Sequence, residues 1–175
     1  NIGLPLLDYK KEVEEKEIHV IELSSFQLES AISFNPFISI LLNISPDHLD
    51  RYNNYQEYIL QKEKIINANK KGFSILSLDD PITIDIYNKN KEKIIPISFN
   101  YLEKGVYFKD NNIVDNYFEL NKIINIPSIS SSLFGSFNSQ NILVAYIVIK
   151  ILSLDIVNFL QIIKNFKGLP YRLEN

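Results

Sequence analysis

Runs of apolar, β-branched residues alternate with helix-length stretches through the first half of the chain. Ile18 to Leu23 (IHVIEL) and Ile38 to Ile44 (ISILLNI) are short runs bounded by polar or turn residues, which is typical of buried strands. Phe73 to Leu78 follows the same pattern, and a segment long enough for a helix, Ser24 to Ser33, separates the first two runs. This alternation predicts a parallel sheet with helices packed on its faces.

The clearest predicted helix spans Asn54 to Asn69. Asn54 is a suitable N-cap, and Glu57, three residues later, completes a capping box. Positions spaced at i, i+3, i+4 and i+7 give the helix one apolar face. That face consists of Tyr55, Tyr58, Ile59, Ile65 and Ile66. Further on, Asp79-Asp80-Pro81 reads as a turn at which the proline can open another short helix.

The pattern changes after the third predicted strand and the short helix. Two β-rich arms surround Asp110-Asn111-Asn112, which predicts a hairpin, and we expect Lys93 to Ser132 to form a small antiparallel addition to the same domain. A long apolar helix is predicted from Asn138 to Leu152 and a shorter one from Ile156 to Asn165. The predicted fold class is therefore α/β, a mostly parallel sheet flanked by helices with a small antiparallel β addition.

Composition narrows the class of protein without changing this architecture. With 175 residues, 46% of them hydrophobic, the chain is long enough for one domain with a sizeable core. The net charge of −3 and the pI near 5.4 come from interspersed acids and bases, without the basic stripe that phosphate-backbone binding needs, so no nucleic-acid partner is expected. Because the chain has no cysteine, any metal must bind oxygen or nitrogen ligands.

Targeting and membrane signals are also missing from the sequence. The chain does not start with methionine or with a charged segment followed by an apolar one, so we expect an internal piece of a longer protein. The longest apolar run, Ile142 to Ile149, is far shorter than the roughly 18 to 20 residues of a membrane span. A buried helix explains this run, and no membrane association is expected.

Two polar residues stand where ligands bind in a parallel sheet, beyond the carboxyl ends of the strands. Glu22 closes the first predicted strand, and His48, flanked by Asp47 and Asp50, follows the second. Taken alone, Glu22 would be a solvated or capping acid and His48 an ordinary loop residue. Their joint position at adjacent strand ends favours a binding or catalytic site.

Lys62 lies on the apolar face of the predicted helix, between Tyr58 and Ile59 on one side and Ile65 and Ile66 on the other. In one interpretation the methylene stem covers apolar surface while the ammonium group reaches water. In the other, loss of water favours the uncharged amine, which can react or be modified. The pattern alone leaves both interpretations open.

Two asparagines lie three residues apart near the start of the long predicted helix. Asn138 and Asn141 share one helix face and follow Gly135 closely. Asn138 could be only a helix cap. Asn141 precedes eight apolar positions, where a cap would not stand, so the pair is a candidate for ligand contact.

Four segments and one lysine stand out together: VIELSSFQLES (Val20 to Ser30), LLNISPDHLDRY (Leu41 to Tyr52), Lys62, GSFNSQN (Gly135 to Asn141) and GLPYRLE (Gly168 to Glu174). They resemble the Mur ligases, and within that family the members that add D-glutamate. The resemblance covers almost the whole chain, with the segments in the family's order. The stretch ELSSFQLE discriminates best, because sibling Mur ligases and folylpolyglutamate synthases resemble it in position but not in these residues.

The resemblance implies a domain arrangement. Mur ligases have one domain for the UDP end of the substrate, a central P-loop NTPase-like domain that binds ATP, and a C-terminal domain for the incoming amino acid. Residues 1–175 resemble most of the central domain. The glycine-rich phosphate loop is therefore expected before Asn1, and the C-terminal ligase domain is expected after Arg172.

The resemblance also implies an activity. ATP would phosphorylate the carboxylate of UDP-N-acetylmuramoyl-L-alanine, and the amine of D-glutamate would attack the acyl phosphate, as a step of peptidoglycan precursor synthesis by a monomeric enzyme in the cytoplasm. Magnesium would offset the repulsion between carboxylate and triphosphate. The alternatives are a sibling Mur ligase or a folylpolyglutamate synthase-like ligase with another acceptor, and a non-catalytic nucleotide-binding domain.

By the same resemblance, each candidate residue acquires an implied role. Glu22, His48 and Lys62 match metal-binding positions, and Lys62 and His48 match catalytic ones, with Lys62 at the position of a lysine that carbon dioxide carbamylates. Positions that match contacts to the muramoyl-alanine substrate are Asn1, Ser24 and Gln27. Positions that match nucleotide contacts are Asn138, Asn141 and Arg172. Phe137 and Tyr171 replace histidines that are usual in the family.

Overall fold

The computed structural model describes residues 17–126 and 135–166, apart from the side chains of residues 136 and 137. The helices in these ranges are α1 (Ser25–Ser30), α2 (Tyr55–Ala68), α3 (Pro81–Asn90), α4 (Ser136–Ile151) and α5 (Ile156–Asn165). The strands are β1 (Ile38–Leu41), β2 (Phe73–Ser77), β3 (Ile94–Ser98), β4 (Val106–Lys109), β5 (Asn112–Asp115) and β6 (Lys122–Asn125). A short 3₁₀ turn, Lys91–Lys93, joins α3 to β3.

The described strands form one six-stranded sheet in the order β1-β2-β3-β4-β5-β6. The pairs β1–β2, β2–β3 and β3–β4 are parallel, whereas β4–β5 and β5–β6 are antiparallel. The carboxyl ends of β1, β2 and β3 therefore meet at one edge of the sheet. The predicted α/β class, a mostly parallel sheet with an antiparallel addition, is confirmed.

The antiparallel part is smaller than the predicted Lys93 to Ser132. β3 follows α3 as the second strand of a strand–helix–strand unit, and it pairs in parallel with β2 and β4. Pro96 made this strand hard to recognise in the sequence, because proline is disfavoured in the interior of a sheet. The structure accommodates it because pairing with β4 begins only at Ile97.

The predicted hairpin is the connection between β4 and β5. Lys109 pairs with Asn112, which leaves a two-residue loop. Both loop residues, Asp110 and Asn111, have positive φ angles of 48° and 60°. Aspartate and asparagine tolerate this conformation, and its twist matches that of the strands. The turn chemistry therefore predicted the hairpin correctly.

The first predicted strand, Ile18 to Leu23, is wrong. These residues lie in no strand, and Val20 is 95% exposed. A strand requires a neighbour that pairs with its backbone N–H and C=O groups. Within the described residues, the edge strand β1 pairs with β2 alone. Apolar composition could not reveal the lack of a pairing partner, and Glu22 consequently closes a loop segment instead of a strand.

The helix predictions are largely confirmed. Asn54 caps α2, its Oδ1 accepting the Glu57 backbone N–H at 2.9 Å. The reciprocal bond of the expected capping box is displaced, because the Glu57 carboxylate accepts the N–H of Asn53 at 3.0 Å. α3 begins at Pro81 and is capped by Asp80. α5 has the predicted bounds, and α4 begins two residues earlier than predicted.

Apolar side chains on opposite faces of the sheet build two cores. On one face, Ile75 and Ile95 pack in a cluster with α4 and α5. On the other face, Leu76 and Ile94 pack in a cluster with α2 and α3. Neighbouring residues of β2 and β3 thus alternate between the two cores, as the pleat of a strand requires. None of the helices in the described part of the chain is long and apolar enough to cross a membrane.

Candidate active site

The first turn of α1 brings Ser24 and Gln27 together. Ser24 Oγ accepts the Gln27 backbone N–H at 3.3 Å, and Gln27 Oε1 accepts the Ser24 N–H at 2.8 Å. This reciprocal pair is a capping box, which fixes both residues at the start of the helix. The two predicted substrate contacts therefore lie side by side. Glu22, two residues before the cap, is exposed.

His48 lies in the loop that follows β1. Its backbone φ of 52° is in the left-handed region, which is uncommon for a residue other than glycine. Asp47 holds this conformation, because its Oδ1 accepts the His48 N–H at 2.8 Å while its Oδ2 lies 3.4 Å from His48 Nε2. With 51% of the side chain exposed, the imidazole is open to a ligand.

The ring of Phe26, on α1, contacts two side chains of this loop. Its centroid lies 4.9 Å from that of the His48 ring and 4.3 Å from Cζ of Arg51. Arg51 also donates to the Glu29 carboxylate at 3.3 Å. α1 and the His48 loop are thus joined by aromatic, cation–π and ionic contacts. Sequence reasoning did not single out Phe26 or Arg51, although both lie in the segments that carried the family resemblance.

Aromatic rings connect this region to Lys62. Phe26 stacks on Tyr52 at 6.1 Å between centroids, and Tyr52 meets Tyr58 edge-on at 5.5 Å. Lys62 Nζ lies 5.7 Å from the centroid of the Tyr58 ring. Burial, and next the negative charge of Asp47, raise the pKa of Tyr58, so that ring is uncharged at physiological pH. The structure thereby brings Lys62 into one continuous set of contacts with the predicted site.

Lys62 itself is half-buried on α2. A cation over an aromatic face is stabilised, and a half-buried amine is partly removed from water. Both interpretations of this lysine therefore remain compatible with its place on the helix. The choice between a covering role and a reactive one stays a prediction.

Three buried side-chain oxygens near this set of contacts have no hydrogen-bond partner in the described ranges. They are Ser25 Oγ, Tyr52 OH and Gln61 Oε1. They belong to α1, to the loop before α2 and to α2 itself. Because an unpaired buried polar atom costs free energy, most such atoms in proteins are paired. These three oxygens, which make no hydrogen bond within the described residues, therefore lie close in the chain to the candidate residues.

The two asparagines lie in the first turns of α4. Gly135, with φ 110°, is the N-cap of this helix and offers no side chain to it. Asn138 is therefore not the N-cap residue of α4. Asn141 Nδ2 donates to Asn138 Oδ1 at 3.5 Å, and Asn141 is exposed. The pair forms a polar patch at the start of the helix.

A partly buried hydrogen-bond network attaches this end of α4 to the sheet. Gln140 Nε2 donates to Ser77 Oγ and to Asp79 Oδ2, both at 3.0 Å. Asp79 Oδ1 accepts the Ser98 hydroxyl at 2.6 Å and the Phe99 N–H at 3.0 Å. Sequence reasoning missed this network, because Asp79 and Gln140 are 61 residues apart and only the tertiary fold brings them together.

Several predicted positions lie outside the described residues. They are Asn1, Arg172 and Tyr171, and the side chain of Phe137. In residues 17–126 and 135–166, no group of three or more His, Asp or Glu side chains could hold a metal ion. The described carboxylates and imidazoles therefore do not form a complete metal shell by themselves.

Comparison with known proteins assigns the chain to a family. A family model of the Mur ligase middle domain matches residues 1–149. The chain belongs to the Mur ligase family. The match includes the capped start of α1, the His48 loop, Lys62 and the asparagines of α4, so the candidate site lies within the region typical of Mur ligases.

Curated Mur ligases are similar over nearly the full chain. The chain is 40% identical over 181 residues to the UDP-N-acetylmuramoylalanine–D-glutamate ligase of Rickettsia bellii, with 99% of the chain covered. It is 37% identical over 176 residues to the ligase of the same name from Citrifermentans bemidjiense, again with 99% covered. The chain spans 39% and 38% of the lengths of these two relatives.

Solved Mur ligase structures share the fold. A UDP-N-acetylmuramoyl-L-alanyl-D-glutamate–2,6-diaminopimelate ligase superposes with a TM-score of 0.63 and 20% identity, covering 86% of this chain and 32% of that one. MurF from Thermotoga maritima, solved in complex with ADP, gives a TM-score of 0.55 and 16% identity over 86% of this chain and 34% of that one. At these identities the likeness shows the architecture.

Proposed function

We propose that this chain is the central, ATP-binding domain of a Mur ligase that joins D-glutamate to UDP-N-acetylmuramoyl-L-alanine. The observation that carries the proposal is the 40% identity to a D-glutamate ligase across 99% of the chain. Because the chain spans 39% of that relative, further domains for the UDP group and for the amino acid would complete the enzyme. The domain alone is then inactive.

In the proposed reaction, an oxygen of the alanyl carboxylate attacks the γ-phosphorus of ATP and ADP leaves. The D-glutamate nitrogen then attacks the carbonyl carbon of the acyl phosphate, loses a proton, and expels inorganic phosphate as the amide forms. Phosphoryl transfer requires the attacking and leaving oxygens to be in line, and amide formation requires the amine to be held against the carbonyl carbon, so positioning supplies much of the rate. We place this reaction in the cytoplasm and in a monomeric enzyme.

Ser24 and Gln27 are proposed to contact the muramoyl-alanine substrate, together with Asn1. The capping box supports this role, because it fixes two polar side chains beside the His48 loop without using all of their hydrogen-bonding capacity. Phe26, between them on α1, contacts His48. Substrate and catalytic groups would thus be placed by one short helix.

Asn138 and Asn141 are proposed to contact the nucleotide, together with Arg172. Their amide groups, 3.5 Å apart, present both donors and acceptors at the start of α4. MurF from Thermotoga maritima, a relative in fold, was solved with ADP, which supports nucleotide binding by this architecture.

Magnesium is proposed to be held by Glu22 and His48 together with the ATP phosphates. Mg²⁺ commonly takes one or two protein carboxylates and completes its shell with phosphate oxygens and water, so a small protein donor set suffices. Glu22 is exposed, and the carboxylate of Asp47 flanks the less usual nitrogen ligand His48. When bound, the ion offsets the repulsion between carboxylate and triphosphate.

Lys62 is proposed to be carbamylated by carbon dioxide. The uncharged amine attacks the carbon, a new N–C bond forms, an electron pair moves onto oxygen, and the nitrogen releases a proton to solvent. The product is an anion at the end of the lysine stem, able to bind metal or position the γ-phosphate. The contacts that lead from His48 through Phe26, Tyr52 and Tyr58 to Lys62 support this proposal, because they bring the amine into the candidate site.

A panel of acceptors tests the proposed function. The full-length protein is given ATP, magnesium and UDP-N-acetylmuramoyl-L-alanine with D-glutamate, L-lysine or glutamyl-folate, and phosphate release is measured. We expect release with D-glutamate alone. Equal release with the other acceptors would overturn the specificity, and no ATP-dependent release with any acceptor would favour a non-catalytic nucleotide-binding domain.

A further inference from the structure

The network between the sheet and α4 contains a carboxylate that the proposed chemistry does not use. Asp79 lies just beyond the carboxyl end of β2, and both of its oxygens accept hydrogen bonds. Oδ1 binds Ser98 Oγ at 2.6 Å and Phe99 N at 3.0 Å, and Oδ2 binds Gln140 Nε2 at 3.0 Å. A carboxylate with both oxygens engaged in this way is suited to holding protein groups in place rather than to binding metal or substrate.

Gln140 is the residue through which α4 joins this network. It is 6% exposed, and its Nε2 uses its two hydrogens on Ser77 Oγ and Asp79 Oδ2. The start of α4 has no side-chain cap from Gly135. The bonds of Gln140 to Ser77 and Asp79 therefore attach this end of the helix to the sheet.

The asparagine pair depends on the same helical turn. Residues three apart share a helix face, so Asn138 and Asn141 point together, while Gln140 is turned by about 100° from Asn141. Gln140 faces the sheet, and Asn141 is exposed. A rotation or shift of the helix start would move both asparagines at once.

We propose that Gln140 and Asp79 are positioning residues that set the place of Asn138 and Asn141 for the nucleotide, an inference that rests on the proposed nucleotide role of this pair. The network joins the ends of β2 and β3 to the turn of α4 that carries the asparagines. Displacing a binding group by about 1 Å can cost roughly 100-fold in rate. Loss of the network should thus weaken nucleotide binding through displacement of the two asparagines.

A reciprocal exchange tests the proposal. Gln140→Glu places a second carboxylate against Asp79, and in the full-length protein we expect the Kd and KM for ATP to rise roughly tenfold or more. Adding Asp79→Asn restores a donor and an acceptor with their places exchanged, because the amide introduced at position 79 can donate to the carboxylate introduced at position 140. The double variant should recover ATP binding to within about threefold of the unmodified protein.

Tyr146→Phe is the matched control. It also removes a buried hydrogen bond from α4, that of Tyr146 OH to Asp115 Oδ2 at 2.7 Å, but at a distance from the asparagines along the helix. It should lower the melting temperature and leave the KM for ATP unchanged. The KM for UDP-N-acetylmuramoyl-L-alanine should stay constant in all variants, since the proposed positioning acts on the nucleotide.

Direct titration with ATP separates the possible outcomes. If Gln140→Glu binds ATP as the unmodified protein does, or if the exchange restores melting temperature but not ATP affinity, the positioning role is overturned. If Gln140→Glu does not fold, the comparison rests on the double variant, whose ATP affinity must be near normal. An unmodified protein that binds ATP but does not form the D-glutamate product would contradict the proposed function and leave the inference standing.

Discussion

Lys62 combines two properties, a positive charge and an amine that carbon dioxide can modify. The cation–π contact with Tyr58, 5.7 Å from Nζ to the ring centroid, depends on the charge alone. The proposed carbamate requires an uncharged nitrogen and reverses the sign of the charge. A substitution that keeps the charge and prevents carbamate formation therefore separates the two interpretations.

Lys62→Arg is that substitution, because arginine remains protonated and retains a long apolar stem. We expect turnover of the full-length enzyme to fall by roughly 100-fold or more, as when a stabilising group of the transition state is lost. Lys64→Arg, two positions away on α2 and also half-buried, is the matched control and should retain turnover. Unaltered turnover in Lys62→Arg would show that the lysine stem only covers apolar surface and that no carbamate is needed.

Tyr52 and Tyr146 differ in how their buried hydroxyl groups are satisfied. Tyr52 OH has no hydrogen-bond partner among the described residues, whereas Tyr146 OH donates to Asp115. Tyr52→Phe should therefore leave the free energy of unfolding unchanged or raise it. Tyr146→Phe should lower it by about 1–3 kcal/mol, since the fully buried Asp115 loses a donor. Urea denaturation measures both, and equal losses would contradict this account.

At the scale of elements, α4 is attached to the sheet at two levels. Near its start, Gln140 binds the Asp79 network, and further along, Tyr146 binds Asp115 at the end of β5. Asp115 also accepts the backbone N–H groups of Tyr117 and Phe118, both at 2.8 Å, so it orders the turn after β5. The helix is thereby fixed to the parallel part of the sheet and to its antiparallel addition.

The attachment of Tyr146 to Asp115 predicts that the stability of the fold depends on pH. Burial, followed by the hydrogen bond to and the charge of Asp115, raises the pKa of Tyr146 above its ordinary value. A raised pKa in the folded state means that the unfolded chain releases its proton first, from about pH 10 upward. The contribution of Tyr146 to the free energy of unfolding is therefore fully present below that pH and is lost as the pH rises beyond it.

Tyr146→Phe removes this contribution. Between about pH 9 and pH 11, the free energy of unfolding should fall less steeply in the variant than in the unmodified protein. The free energy of unfolding of the variant should still depend on pH to some extent, because burial also raises the pKa of Tyr55 and Tyr58. Urea denaturation across this pH range gives both slopes, and an identical slope in the two proteins would show that Tyr146 does not carry the effect.

Local chemistry made part of the fold predictable from sequence. Asn54 and the spacing of apolar residues predicted α2, and Asp110-Asn111 predicted the hairpin, because caps and turns depend on residues close in the chain. Pairing across the sheet was not predictable in this way. The apolar run of residues 18–23 lacks a strand partner in the described ranges, and Pro96 lies in a buried strand despite its usual preference.

The same distinction applies to the candidate site. Lys62 stood out because its charge interrupts an apolar helix face, and Asn141 because it lies where no cap is needed. Gln140 gave no such signal, since its partner Asp79 lies far away in the chain. Residues whose function depends on long-range contacts require the structure.

At the scale of the whole molecule, the order of the parallel strands brings the candidate residues together. The His48 loop follows β1, the Asp79 network follows β2 and β3, and the latter holds the start of α4. Ligands of open parallel sheets bind beyond the carboxyl ends of the strands, where the topology collects loops from distant parts of the sequence. Nucleotide and acyl substrate would thus meet at one edge of the sheet.

The central claim is that an acyl phosphate forms before the D-glutamate amide. The transfer of a carboxylate oxygen to the released phosphate tests this claim. The full-length protein is given UDP-N-acetylmuramoyl-L-alanine labelled with ¹⁸O in both oxygens of the alanyl carboxylate, with ATP, magnesium and D-glutamate. Mass spectrometry of the products should find one ¹⁸O in the released phosphate and one in the new amide. Phosphate without ¹⁸O, or no amide product with D-glutamate, would contradict the account.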